Sequence, residues 1–384
     1  MANIHDFDDI RPYTDSEVPE IISRIVRERG FLNFVKMFFP EQSTKKIITE
    51  LLQIKSQRAF QEHLVYTIVQ RIIKGTVQKL TFDGIENLKK DTPYIFMSNH
   101  RDIVLDSALL EYILVINNFP TTEIAIGSNL LIMQWIIDLV RLNRSFIVKR
   151  DVPHIELYQY SVNLSKYIRF TNQQKNSVWI AQREGRTKDG DDRTQVAVLK
   201  MLNLSGENDF FDNFRELNII PVTIAYELEP CAVSKVQELY NKMTKPEYKK
   251  TKLEDLTSMN GGIETPKGHV HYVFGTPIND QLHKIEHIKG RKPRFDALTE
   301  LIDDEIQRNY RLTYHNYVAA DMYFNTKEYE KYYTKEEKKN FTDYYKNSLS
   351  QIEGDEKIVS EMFLKIYAMP TKNYFEANTK QESK

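Results

Sequence analysis

Apolar positions along this chain change their spacing twice. From about residue 15 to 78 they recur every three to four residues: Ile21, Ile22, Ile25 and Val26, then Ile47, Ile48, Leu51 and Leu52. Leu64, Val65, Ile68, Val69, Ile72 and Ile73 continue the pattern. That period belongs to amphipathic helices, so the region is predicted to be helical. Between the stripes, Gly30 to Pro40 is aromatic, with Phe31, Phe34, Phe38 and Phe39 close to Arg29 and Lys36. Such a segment is either a helical layer packed on the next domain of the chain or a membrane- or carrier-docking surface.

From residue 79 short apolar runs alternate with helical ones. Candidate strands are Lys79–Phe82, Tyr94–Ser98, Glu123–Gly127, Ser145–Lys149, Ser177–Ala181, Ile219–Ala225 and His269–Phe274. Helical runs at Ile103–Asn117, Leu130–Arg141, His154–Thr171 and Gln195–Leu204 separate most of them. Strands alternating with helices predict an α/β fold, with a mixed, largely parallel sheet flanked by helices. Pro221 limits its strand to an edge, an end or a bulge. After about residue 279 the chain turns helical and charged, through Leu298, Leu301, Ile302 and Ile306 into a segment rich in Tyr and Lys. Tyrosines at helical spacing there are expected to keep their hydroxyls at the surface. The expected organisation is an N-terminal helical region (1–78), an α/β core (79–280), a C-terminal helical region (281–376) and a disordered tail (377–384).

Composition narrows the class. A chain of 384 residues with 41% hydrophobic content can bury a sizeable core. With 53 basic and 54 acidic residues it is not a globally basic nucleic-acid binder. The single cysteine, Cys231, allows no intrachain disulfide and fits a reducing compartment. It has no histidine pattern beside it and reads as a half-buried thiol. The longest apolar stretch, Ile124 to Val140, is interrupted by Ser128, Asn129, Gln134 and Asp138. A spanning helix needs about 20 predominantly apolar residues. The expectation is a cytoplasmic chain, at most peripheral on the membrane face, meeting it through the 130–140 helix and the Phe31–Phe39 segment.

Chemistry concentrates at Asn99-His100-Arg101-Asp102, where a predicted strand turns into a helix. In open α/β sheets ligands bind at that end of the strands. The His-Arg-Asp triplet resembles a kinase catalytic loop only superficially. Ser107 stands where that loop has asparagine, and no glycine-rich loop precedes it.

A closer resemblance is to the glycerolipid acyltransferases, the glycerol-3-phosphate and lysophosphatidate acyltransferase family. Their first block, Asn-His, four residues and Asp, resembles Asn99-His100 with Asp106. Their Gly-x-x-Phe-Ile-x-Arg block resembles Asn143-Arg144-Ser145-Phe146-Ile147-Val148-Lys149-Arg150. Glu-Gly-x-Arg-Ser resembles Glu184-Gly185-Arg186-Thr187-Lys188, with the arginine one place early. A Pro-Val strand resembles Ile219-Ile220-Pro221-Val222-Thr223-Ile224. The order and spacing of the blocks also match, over about residues 80–280.

The resemblance implies transfer of a fatty acyl group from acyl-CoA or acyl carrier protein to glycerol-3-phosphate or lysophosphatidate, without a cofactor. Histidine can take the hydroxyl proton near neutral pH, and a carboxylate on the far ring nitrogen fixes its tautomer. His100 is thus the candidate base and Asp106 its partner. Because five residues rather than four separate them, Asp102 is the alternative partner; otherwise it caps the helix. The resemblance assigns substrate binding to Asn99, Arg101, Glu184, Gly185 and Arg186, and to Arg150 or Lys149. Strand alternation allows only one of the last two to serve. Arg183 is a further cation that the pattern does not predict. Gly185 is expected to permit close backbone approach. No nucleophile elbow is present, so attack is expected to be direct. The histidines lack metal-ligand spacing, so no metal is implied. Two other readings stay open: an inactive lipid-binding protein on the same fold, and a transferase for a soluble non-lipid acceptor.

Overall fold

The computed structural model of the chain describes residues 3–150 and 152–382. Seven strands form one sheet: β1 (Val77–Asp83), β2 (Ile95–Ser98), β3 (Glu123–Gly127), β4 (Ser145–Val148), β5 (Val178–Ala181), β6 (Ile219–Tyr226) and β7 (Gly268–Phe274). Their order is β1-β7-β6-β2-β5-β3-β4. All neighbours are parallel except β6 and β7, so the sheet is mixed but largely parallel, as the sequence predicts. β2 is wholly buried and lies between β6 and β5. The chain leaving β2 therefore emerges in the middle of the sheet's carboxyl edge.

Helices cover both faces. The N-terminal helical layer packs on one face, burying Phe31, Val35, Phe38, Ile47, Leu64 and Ile72 against Phe96, Ile220 and Tyr272. The aromatic Phe31–Phe39 segment is thus mainly core: Phe31 is 0% exposed and Phe38 and Phe39 are buried, so they cannot meet a membrane. Residues flanking Ile10 cover the outer edge of β4, where Ile147 N–H donates to Ile10 O at 2.9 Å. Covering an edge strand in this way blocks pairing with another chain. On the other face, the helices His154–Gln173, Val196–Asn203 and Arg291–Arg308 contribute Leu164, Leu199, Leu298 and Ile302 to a second core with Met97 and Ile180.

Pro221 occupies a central strand without breaking it. Its carbonyl accepts from Gly275 N–H at 2.9 Å, so its missing N–H faces the same side. β7 has already ended there, since its pairing with β6 begins at Val222 opposite Phe274. The reciprocal bond to Gly275 O is missing, and Asn87 Nδ2 donates to that oxygen at 3.3 Å instead.

Two expectations for the C-terminal region are corrected. Helix Glu356–Glu382 runs into the segment predicted to be a disordered tail, and Ala377 is buried; residues 383–384 lie outside the described residues. The tyrosines do not all float their hydroxyls in water. Tyr367 is buried against Phe341 and Phe363, and its hydroxyl meets that of Tyr344 at 2.8 Å. Mutual hydrogen bonding is what permits such burial. Among the described residues, no helix is long and apolar enough to cross a membrane.

At the opposite edge of the sheet, Glu111 is buried and accepts from Thr122 N–H at 3.0 Å and from the Thr122 hydroxyl. Burial raises its carboxyl from 4.5 to about 7. A folded-state value above the unfolded one gives stability that is full below pH 4.5 and is lost as pH rises through about 7. Stability should therefore fall by about 3 kcal/mol across that window from this group alone. Glu111→Gln is expected to flatten that part of the stability–pH curve, measured by denaturant unfolding; an unchanged slope would disprove the assignment.

Candidate active site

After Ser98 the chain makes an open turn before helix Leu105–Ile116 begins. Asp102 Oδ1 accepts the N–H groups of Val104 and Leu105, each at 2.8 Å. It therefore caps the helix, satisfying donors that the first turn leaves without intrahelical partners. Asp106 follows in the first helical turn and points back under the turn. Its Oδ2 accepts from His100 Nδ1 at 2.8 Å, Arg101 N–H at 2.6 Å and Asp102 N–H at 3.0 Å. Its Oδ1 accepts from the Tyr226 hydroxyl at 2.9 Å. Asp106, not Asp102, thus meets the imidazole. The extra residue relative to the family pattern is taken up by the wide turn before the helix, so helical phase never governs the His100–Asp106 separation.

Nδ1 bonded to a buried carboxylate leaves Nε2 as the ring's proton-accepting nitrogen, with no hydrogen-bond partner among the described residues. The His100 side chain is 14% exposed, so it stays reachable from outside. The Trp179 ring stands edge-on to it at 5.9 Å, and Trp179 Nε1 donates to Ser98 Oγ at 3.1 Å. Thr187 N–H donates to His100 O at 2.8 Å, which pins the Glu184–Lys188 loop to the histidine turn.

Asn99 and Arg101 do not bind substrate in this arrangement. Asn99 is 0% exposed, donating to Ile224 O at 2.9 Å and Asp192 at 3.1 Å and accepting from Ile224 N–H at 2.8 Å. Its hydrogen-bonding capacity is spent clamping β2 to β6. Arg101 is also 0% exposed, its guanidinium held by Asp192 at 2.6 Å and Glu229 at 3.1 Å. Lys149 is likewise engaged elsewhere: Nζ meets Asp9 at 2.6 Å on the surface near Tyr160. Arg150 lies one residue on and pairs with Glu184, as strand alternation allows.

Gly185 has φ +70, yet a Cβ added there would meet nothing within 4 Å. Its left-handed backbone, not close approach, is what calls for glycine. The loop it shapes carries Arg186, which is buried, with Nη1 lacking a hydrogen-bond partner. Its positive charge acts on the Asp102 carboxyl, the Cys231 thiol and the Lys235 ammonium. Arg150 Nε and Arg183 Nε are also buried without partners. Buried guanidinium nitrogens are normally satisfied; Arg169 Nε is a fourth left without a partner.

Burial, with the Asp106 charge second, pushes the Asp102 carboxyl up. Burial also raises the Cys231 thiol, whose Sγ donates to Ser258 O at 3.1 Å. A raised thiol is a poor nucleophile. Among the described residues no group of three or more His, Cys, Asp or Glu side chains could hold a metal ion. Sequence reasoning missed Tyr226, Trp179, Asp192, Glu229 and Lys235. Each comes from another strand, loop or helix and carries no local motif.

Residues 79–227 match the family model described as Acyltransferase. This segment is an acyltransferase domain. It contains all four blocks that suggest the family, from Asn99 to Ile224. The 1-acyl-sn-glycerophosphate (LPA) acyltransferase PlsC of Thermotoga maritima is similar at 12% identity, with 77% of this chain and 97% of that chain covered and a TM-score of 0.34. A likeness that distant carries no argument about the site. No curated protein matches. Within the acyltransferase domain the His100–Asp106 pair lies at the carboxyl edge of β2, beside the loop after β5.

Proposed function

We propose that the protein moves a fatty acyl group from an acyl thioester, CoA or acyl carrier protein, to a hydroxyl of glycerol-3-phosphate or lysophosphatidate. The observation that carries this is the His100–Asp106 hydrogen bond of 2.8 Å beside a loop with an unpaired, buried arginine. In this reading the acceptor hydroxyl gives its proton to His100 Nε2 as its oxygen attacks the thioester carbonyl. Asp106 stabilises the imidazolium that forms. Collapse of the tetrahedral adduct breaks the C–S bond, and the imidazolium returns its proton to the departing thiolate. Arg186 and Arg150 hold the acceptor phosphate, with Glu184 orienting Arg150. Arg183 supplies a further cation to the same anion.

The pseudo-enzyme reading rests on shifted spacing in the first and third blocks, and the His100–Asp106 hydrogen bond weighs against it at the first. Amphiphilic substrates are met at a membrane surface, where Met133, 50% exposed, and Ile155, 91% exposed, are available to touch lipid. The reading is tested by transfer assays pairing palmitoyl-CoA and palmitoyl carrier protein with glycerol-3-phosphate and lysophosphatidate. At least one pair should give an ester product. Absence of product with all four overturns the proposal.

A further inference from the structure

The Arg101 side chain is among the largest fully buried ones of the described residues, and it lies between His100 and Asp102. Its partners explain how a charge stays there. Nη2 and Nε donate to Asp192 Oδ2 at 2.6 and 3.1 Å, and Nη1 donates to Glu229 Oε2 at 3.1 Å. Lys235, also fully buried, donates from Nζ to Glu229 Oε1 at 2.5 Å and to the Arg101 carbonyl at 2.6 Å. Two cations and two carboxylates balance. Every polar group of residue 101 is engaged, because its N–H donates to Asp106 Oδ2, the same oxygen that receives His100.

This quartet reaches well beyond the acyltransferase segment, which ends at residue 227. The Tyr310 ring lies 5.6 Å from the Arg101 guanidinium carbon. Tyr367, on helix Glu356–Glu382, accepts the Glu229 N–H at 2.9 Å. Gln307 donates to Asp192 O at 2.9 Å. Asp192 also accepts the Thr187 hydroxyl at 2.7 Å, and Thr187 N–H holds the His100 carbonyl. The C-terminal helical region thus meets the buried quartet beneath the histidine turn through Gln307, Tyr310 and Tyr367.

We propose that the Arg101–Asp192–Glu229–Lys235 quartet, anchored by Tyr310 and Tyr367, positions His100 against Asp106, so that the C-terminal helical region is a working part of the active site. The inference rests on the acyl-transfer reading for its kinetic consequence, though not for its geometry. The turn holds one residue more than the family pattern, and a longer turn has more conformations to exclude. Fixing residue 101 at its N–H, carbonyl and side chain excludes them. The residues concerned are positioning residues, since each acts through Arg101.

The test compares wild type with Glu229→Gln and Tyr367→Phe. Loosening Asp106 from the imidazole takes away the carboxylate that stabilises the imidazolium. Both variants should then lower kcat, Glu229→Gln by roughly 10- to 100-fold and Tyr367→Phe by less. Acceptor KM should stay within about twofold, because substrate-binding groups are untouched. The acid limb of kcat/KM should move to lower pH, which a merely structural role would not produce. NMR titration of the His100 ring in substrate-free protein reads the same shift without any activity assay. If Glu229→Gln fails to fold, Tyr367→Phe keeps all four charges and carries the test. Folded variants that titrate His100 as wild type overturn the inference. An inactive wild type overturns only the acyl-transfer reading, because the titration still reports the coupling.

Discussion

Replacing His100 with alanine is expected to lower kcat for acyl transfer by about 10²–10⁴-fold, the usual contribution of a positioned general base. Thioester binding should change little, because the imidazole meets the reacting hydroxyl rather than the carrier. Asp106→Asn should give a loss of the same order by another route. An amide can present its nitrogen to Nδ1 and favour the tautomer with the proton on Nε2, which cannot accept another. It would also disturb four donors at once: the His100 ring, two backbone N–H groups and the Tyr226 hydroxyl. The asparagine variant should therefore also melt at a lower temperature, whereas His100→Ala should not. Rates measured on folded protein separate the two effects. Full activity in folded His100→Ala would remove the base from the mechanism.

The second large effect is expected at Arg186. Its buried Nη1 has no partner in the protein, so a bound phosphate would add a charge-assisted hydrogen bond where none exists. Such bonds contribute about 1.5–3 kcal/mol each. Arg186→Ala should accordingly raise KM for glycerol-3-phosphate by roughly 10- to 100-fold. Arg186→Lys should recover only part, since an ammonium lacks the planar fork. Steady-state kinetics with the acceptor varied would decide it. If acceptor KM stays at the wild-type value while kcat alone falls, Arg186 does not hold the phosphate. Because its charge also faces the buried Asp102 carboxyl, a thermal melt of each variant should accompany the kinetics.

How far the site was legible depends on how local its signals are. His100, Asp106, Glu184, Gly185, Arg186 and Arg150 belong to short blocks whose residues are adjacent in the chain. The structure puts His100 on Asp106 and Arg150 on Glu184. Asn99, Arg101 and Lys149 belong to the same blocks, yet they turn inward or sideways to hold the scaffold. A sequence block records which residues keep company, and a buried clamp keeps the same company as a ligand contact. Glu229, Lys235, Tyr310 and Tyr367 were illegible for the opposite reason. They lie far along the chain from His100, and no spacing rule connects them.

The sequence by itself determined most of the elements, because their signals arise from neighbours in the chain. All seven strands and the four helices expected between them lie close to where hydrophobic period and breaker residues put them, whereas helices Phe210–Arg215, Ala232–Thr244 and Lys252–Glu264 carry no such expectation. It also pointed to His100 and Asp106 as partners at the carboxyl edge of β2. Only the tertiary structure decided which carboxylate His100 faces, because the turn after Ser98 rather than helical phase sets that distance. Only it decided that the aromatic segment is core, that Pro221 is tolerated in a central strand, and that the C-terminal helical region meets the quartet beneath the histidine turn. Those outcomes depend on contacts between elements far apart in sequence, where burial and unsatisfied hydrogen bonds choose among arrangements that local pattern leaves equally open.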